Sequence, residues 1–164
     1  MAHLRIEIKW AIYFSLMTLA WMVLEKLTGL HGKYIDYHLY LTNLFAIPAI
    51  WFMVLALQDK KTSHFKGNMS YKLGLLSGII LSAFIALFSP LTQWIITYVI
   101  TPEYFPNVIR RSVEIGYYQT TEEAEAQFNF RNYAINSTLF AFIFGVITTA
   151  IVMIFVQTKR NGQQ

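Results

Sequence analysis

The sequence predicts an all-α, single-domain integral membrane protein: a four-helix bundle with both termini on the cytoplasmic side. Three observations carry this expectation. Residues 73–100 contain no charged side chain, a run longer than the roughly 20 apolar residues a helix needs to cross a bilayer. Only 13% of the 164 residues are charged, against 55% hydrophobic, and the mean hydropathy is +0.43; a soluble domain carries about 25% charged residues. The apolar residues also fall in long runs and not in amphipathic periods, which argues against an ordinary soluble core.

The first helix is expected over residues 6–28. A basic start (Arg5, Lys9) precedes it, as in a signal peptide. The apolar run is too long for that, and Glu25-Lys26-Leu27 stands where small cleavage-site residues would lie. The helix is therefore read as retained. GLHGKYIDY, residues 29–37, is a polar turn marked by two glycines and an Asp. The second helix is expected over 39–58, with Pro48 as a kink that membrane helices tolerate. A hydrophilic loop, DKKTSHFKGNMS, fills 59–70.

The third helix is expected over 71–101, with a Ser89-Pro90 break and Pro102 as its stop. In the long connection that follows, Val108, Ile109, Val113 and Ile115 predict one or two helical turns lying on the membrane surface. Thr120 with Glu123 three residues later is a capping box. An uninterrupted fourth helix is therefore expected over 121–157. Its polar first dozen residues would project roughly 18 Å beyond the hydrocarbon, with Phe128, Phe130 and Tyr133 as an interfacial aromatic belt.

Charge sets the orientation. With four spans, eight Lys and Arg lie on the side of the termini: Arg5, Lys9, Lys60, Lys61, Lys66, Lys72, Lys159 and Arg160. Five lie opposite: Lys26, Lys33, Arg110, Arg111 and Arg131. The positive-inside rule places the termini in the cytoplasm. The basic residues flank membrane stretches and form no stripe, so the net charge of +4 is not a nucleic-acid signal. The chain has no cysteine, which removes disulfides, CxxC sites and a cysteine nucleophile.

Several segments taken together resemble a known family: IEIKWAI, WMVLEKLTGLH, TNLFAIPAI, YKLGLLSG, SPLTQWI, TPEYF and TTEEAEAQFN. They look like the small bacterial membrane proteins grouped as domain of unknown function 4199, over nearly the whole chain. The resemblance implies a four-helix protein of the bacterial inner membrane. It brings no activity and no catalytic residue.

Four constellations are candidates for function. Gly74, Gly78, Ser82 and Ala86 repeat every fourth residue on the third helix, and Ser137, Ala141, Gly145 and Thr149 do so on the fourth. Such stripes let helix backbones approach closely; they are expected to pack on each other within one chain, the alternative being a homo-oligomer. A polar band of Glu25, Asn43, Ser89, Gln93 and Asn136 marks the outer ends of the helices. It is read as interhelical hydrogen bonding, or else as a cavity open to the outside. Glu25 is expected to reach the interface or pair with Lys26 or Lys33; if buried, it is a proton or cation site. His31, His38 and Asp36 share one loop, a spacing too weak for a metal site, so the histidines are read as interfacial. The outer segment 102–132, with Arg110-Arg111 and Glu122, Glu123 and Glu125, is a candidate docking surface.

GxSxG, P-loop, HExxH and GxGxxG motifs are all absent from the sequence. The expectation is a non-enzymatic accessory or assembly subunit of the cell envelope, without cofactor or metal. Its partners would be the lipid bilayer and an envelope protein. The alternative is a small oligomeric transporter or channel whose polar entrance is on the outer side.

Overall fold

The computed structural model describes residues 4–158. His3, Lys159 and Arg160 lie outside them. All regular structure among the described residues is helical. Helix α1 is Arg5–Leu27, within one residue of the expected bounds. Next come α2, Ile35–Leu41, a 3₁₀ turn over Thr42–Phe45, and α3, Ala46–Asp59, which widens into a π turn over Lys60–His64. Helix α4, Tyr71–Ile95, also ends in a π turn, Ile96–Ile100. The short helices α5, Tyr104–Glu114, and α6, Thr121–Gln127, precede α7, Phe130–Val156. Four helical runs are long and apolar enough to cross a membrane: Arg5–Leu27, Ile35–His64, Tyr71–Ile100 and Thr121–Val156.

Three sequence expectations are corrected. The second helical run starts at Ile35 and reaches His64, not 39–58. Pro48 sits in the first turn of α3, where a missing N–H costs least, and the 3₁₀ turn before it takes up the adjustment. The Ser89-Pro90 pair does not break α4, which runs through Pro90. Ser89 Oγ donates to the Ile85 carbonyl (3.2 Å) and Thr92 Oγ1 to the Phe88 carbonyl (3.1 Å) on either side of the proline, and membrane helices tolerate an internal proline of this kind. The helix expected over 121–157 is interrupted at Phe128-Asn129. Asn129 Nδ2 donates to the Glu125 and Ala126 carbonyls and closes α6. The same side chain accepts from the Asn132 N–H and opens α7. An Asn that serves both ends outcompetes helix continuation.

Helix α4 is the central element, packed against α7 and α1, while α3 contacts α7, α1 and α4. The α4–α7 contact is close because small residues interlock. A methyl group built on Gly74 would overlap Met153, on Gly78 it would overlap Thr149, and on Gly145 it would overlap Ser82. Ser82 and Thr149 are fully buried. Their hydroxyls donate to Gly78 and Gly145 of their own helices (2.7 and 2.8 Å), so the seam needs no polar bond across it. Ala86 and Ala141 continue the two stripes toward the C-terminal end of α4; Ala86 is buried, and Ala141 packs against the cluster formed by Ala11, Met53, Ala56, Leu81 and Ile85. Ser137 lies half-buried and donates to the Ala134 carbonyl of its own helix. Ala11, Met53, Ala56, Leu81 and Ile85 fill the middle. Leu16, Trp51, Leu87, Phe144 and Phe155 point outward and exposed, a belt that suits lipid and not water.

Candidate functional site

The C-terminal end of α1 is shaped by its termination. Gly29 adopts φ +81°. Its N–H bonds the Lys26 carbonyl (3.0 Å), and the Leu30 N–H bonds the Glu25 carbonyl (3.0 Å). This is a Schellman cap, which needs a left-handed residue and therefore favours glycine. The reversal carries His31 back over Glu25, and α2 then places His38 beside both.

Glu25 is fully buried. Its Oε1 accepts from Trp21 Nε1 (2.6 Å) one turn earlier. Its Oε2 faces His31 Nε2 at 3.1 Å and His38 Nε2 at 3.4 Å. The three ligand atoms all lie within 4.8 Å of one another. His38 Nδ1 faces the Tyr104 hydroxyl (3.4 Å), which in turn faces the Tyr133 hydroxyl (3.3 Å). Burial, with the Tyr133 hydroxyl adding to it, pushes the Tyr104 pKa up, so its phenol stays neutral. His31 is held through its backbone, whose carbonyl accepts from Asn107 Nδ2 (2.9 Å), while its Nδ1 is buried without a hydrogen-bond partner.

The residues that complete this site come from the connection between α4 and α7. Helix α5 is fastened over α2 by Arg111, which grips Asp36 with two parallel bonds of 2.7 and 2.8 Å. Those hydrogen bonds raise the Arg111 pKa above its ordinary value. In α6, Thr120 accepts from the Glu123 N–H as expected, but the Glu123 carboxylate takes the Gln119 N–H in place of Thr120's own. Helices α5 and α6, with Phe128 and Phe130, form an ordered cap.

A second buried cluster lies at the other end of α1. Glu7 and Glu25 are 18 residues apart, five full turns, so they share one helix face. Glu7 Oε1 accepts from Ser77 Oγ (2.6 Å) and pairs with Lys60 Nζ (2.7 Å). Both charged side chains are almost fully buried, and Glu7 Oε2 has no hydrogen-bond partner. Beside this pair, Asp59 binds Lys9, Trp10 Nε1 and Ser63.

The expected polar band is only partly assembled. Of Glu25, Asn43, Ser89, Gln93 and Asn136, only Glu25 is buried in a polar cluster. Asn43 is exposed and turns back to the Leu39 carbonyl of its own helical run. Ser89 bonds Ile85, Gln93 bonds Thr97 one turn on, and Asn136 is exposed. Asn43, Ser89 and Gln93 thus find their partners within their own helical runs, which a helix allows for short polar side chains. Glu25 does not pair with Lys26 or Lys33 either. Lys26 reaches Glu103 and the Ile100 carbonyl, and Lys33 lies over the Tyr34 ring. The histidines read as interfacial are instead the partners of Glu25, and Asp36, grouped with them in sequence, belongs to Arg111. The Glu7–Lys60–Ser77 cluster was missed, since Glu7 stands in the charged start of the chain and Lys60 in the segment 59–70 read as a hydrophilic loop; the one sequence signal is the 18-residue spacing of Glu7 from Glu25.

Apolar outward faces, four span-length helices and polar clusters confined to the two ends define the class: a helical, multi-span membrane protein. The chain belongs to the family described as protein of unknown function (DUF4199), which matches residues 9–158. No curated protein and no solved structure matches it.

Proposed function

We propose that the protein is a four-helix bundle of the bacterial inner membrane, with both termini cytoplasmic, and that it is a non-enzymatic accessory or assembly subunit. Its outer cap would dock an envelope protein. The observation that carries this reading is an open groove of about 940 Å³ between α5, α6 and the start of α7. Phe105, Ile109, Val113, Phe128 and Phe130 line it, with Arg110, Glu114 and Glu125 among its polar lining. An apolar centre with charges of both signs around it is the anatomy of a protein interface. Photocrosslinkers at Val113 should capture one stoichiometric envelope protein, and Ile109→Asp should abolish the capture. Labelling of lipid alone, or of a second copy of this chain, would refute the docking role.

The transporter reading draws on the two buried carboxylates at opposite ends of one face of α1. Ala11, Met53, Leu81 and Ile85 pack the space between them, which favours the accessory role. The orientation has its own test, made clean by the absence of cysteine. Ser63→Cys is expected to react with an impermeant thiol reagent only after the cytoplasm is opened. Glu114→Cys is expected to react in intact spheroplasts. The reverse pattern would turn the molecule over.

A further inference from the structure

We propose that Glu25, His31 and His38 form a site for one divalent first-row transition cation, zinc being the best match to the ligand set. The site stands on its own geometry and does not depend on the docking role.

Two imidazoles and one carboxylate are a proven donor set for such cations, with a remaining position left to water. The spacing fits. For metal–ligand bonds of about 2.0–2.1 Å in a tetrahedron, the ligand atoms stand about 3.3 Å apart. Glu25 Oε2 stands 3.1 Å from His31 Nε2 and 3.4 Å from His38 Nε2. Small outward movements of the rings would open the centre without rebuilding the backbone.

The electrostatics point the same way. A fully buried carboxylate needs a compensating positive charge or a proton. The neighbouring lysines, Lys26 and Lys33, are committed to Glu103 and to the Tyr34 ring. What faces the carboxylate is two imidazoles, which compensate it only when protonated. A bound dication supplies the charge and keeps both rings neutral. Supporting groups are in place around two of the three ligands, Glu25 and His38, while His31 Nδ1 has no hydrogen-bond partner. Trp21 fixes the free carboxylate oxygen, and Tyr104 meets the second nitrogen of His38, the outer contacts that orient metal ligands. The route in is on the His38 side, where the side chain is 18% exposed, against 4% for His31 and 0% for Glu25.

A cation here would tie α1, the Gly29 reversal and α2 together. Through Asn107 and Tyr104 it would also brace α5. Its role is that of a clip at the outer end of the molecule, readable as stability.

The test uses tag-free protein in detergent, stripped with a chelator and titrated with Co2+. The expected result is one equivalent bound, with the strong visible bands of a tetrahedral Co2+ centre, displaced by Zn2+. Glu25→Gln and His38→Gln should each weaken binding at least tenfold, whereas His64→Gln should leave it unchanged. In wild-type protein, saturating Zn2+ should raise the thermal midpoint, since a cation that binds only the folded state stabilises it by mass action. That arm needs no variant to fold. Three results would each overturn the site: only the weak spectrum of hydrated Co2+, retention of full affinity in both Glu25→Gln and His38→Gln, or an unmoved wild-type midpoint.

Discussion

Gly78→Leu is expected to be among the most damaging single substitutions in this chain. Even a methyl group at residue 78 would overlap the Thr149 side chain, and Thr149 is fully buried. No rotamer of leucine avoids that first carbon, so α4 and α7 must move apart. Overpacking typically costs about 1–3 kcal/mol, occasionally more. Here the upper end is expected, because separation also strips the neighbouring Gly74–Met153 and Ser82–Gly145 contacts. The measurement is the thermal midpoint in detergent, with Ala83→Leu as the control for bulk, since Ala83 lies on the exposed face of the same helix. Gly29, although in a loop, cannot serve as that control: its φ of +81° would strain any side chain. The cause is isolated by pairing Gly78→Ala with Thr149→Gly. Removing the side chain it strikes should restore most of what Gly78→Ala loses. A Gly78→Leu protein as stable as the parent, or a pair no better than Gly78→Ala alone, would mean that this seam does not hold the helices.

How much of this was legible in the sequence depends on the range of the interaction. The four spans were legible because each is a continuous apolar run, and burial of such runs does not depend on what they meet. The stripe was legible because small residues at every fourth position have one geometric consequence. The start of α6 was legible because Thr120 and Glu123 act locally. The break at Asn129 was not, since an asparagine inside a helical pattern is a weak signal until both its hydrogen-bonding ends are seen in use. The Glu25–His31–His38 cluster was hidden by a reversal. Glu25 and His31 lie on opposite sides of the Gly29 cap, and only its left-handed backbone folds one over the other. His38 joins them because α2 begins at Ile35, four residues earlier than the apolar pattern implies. Asn43, Ser89, Gln93 and Asn136 looked like companions of Glu25 because depth was judged from sequence position alone. Depth says nothing about which way a side chain turns, and two of them bond their own helical run at i−4 and a third at i+4.

Lys60→Met is expected to rival Gly78→Leu, for an electrostatic reason. Lys60 and Glu7 are almost wholly removed from solvent, and the shared Glu7 Oε1 also accepts from Ser77. Taking the lysine away leaves a carboxylate held by one neutral hydroxyl, with its other oxygen already without a partner. Breaking a buried ion pair from one side costs about 3–5 kcal/mol, whereas replacing both charges with neutral groups of similar volume is often nearly neutral. The pair variant Lys60→Met with Glu7→Gln keeps an acceptor for Ser77 and removes the stranded charge. It should therefore recover most of the loss, giving a coupling of about 2 kcal/mol or more in a double-mutant cycle. Thermal midpoints of the four proteins supply the cycle. Additive losses would show that Glu7 and Lys60 do not depend on each other. Strong coupling would show that α1, the π turn after α3 and α4 are clamped together by one internal ion pair at the N-terminal end of α1, opposite the histidine–carboxylate cluster on the same face of that helix.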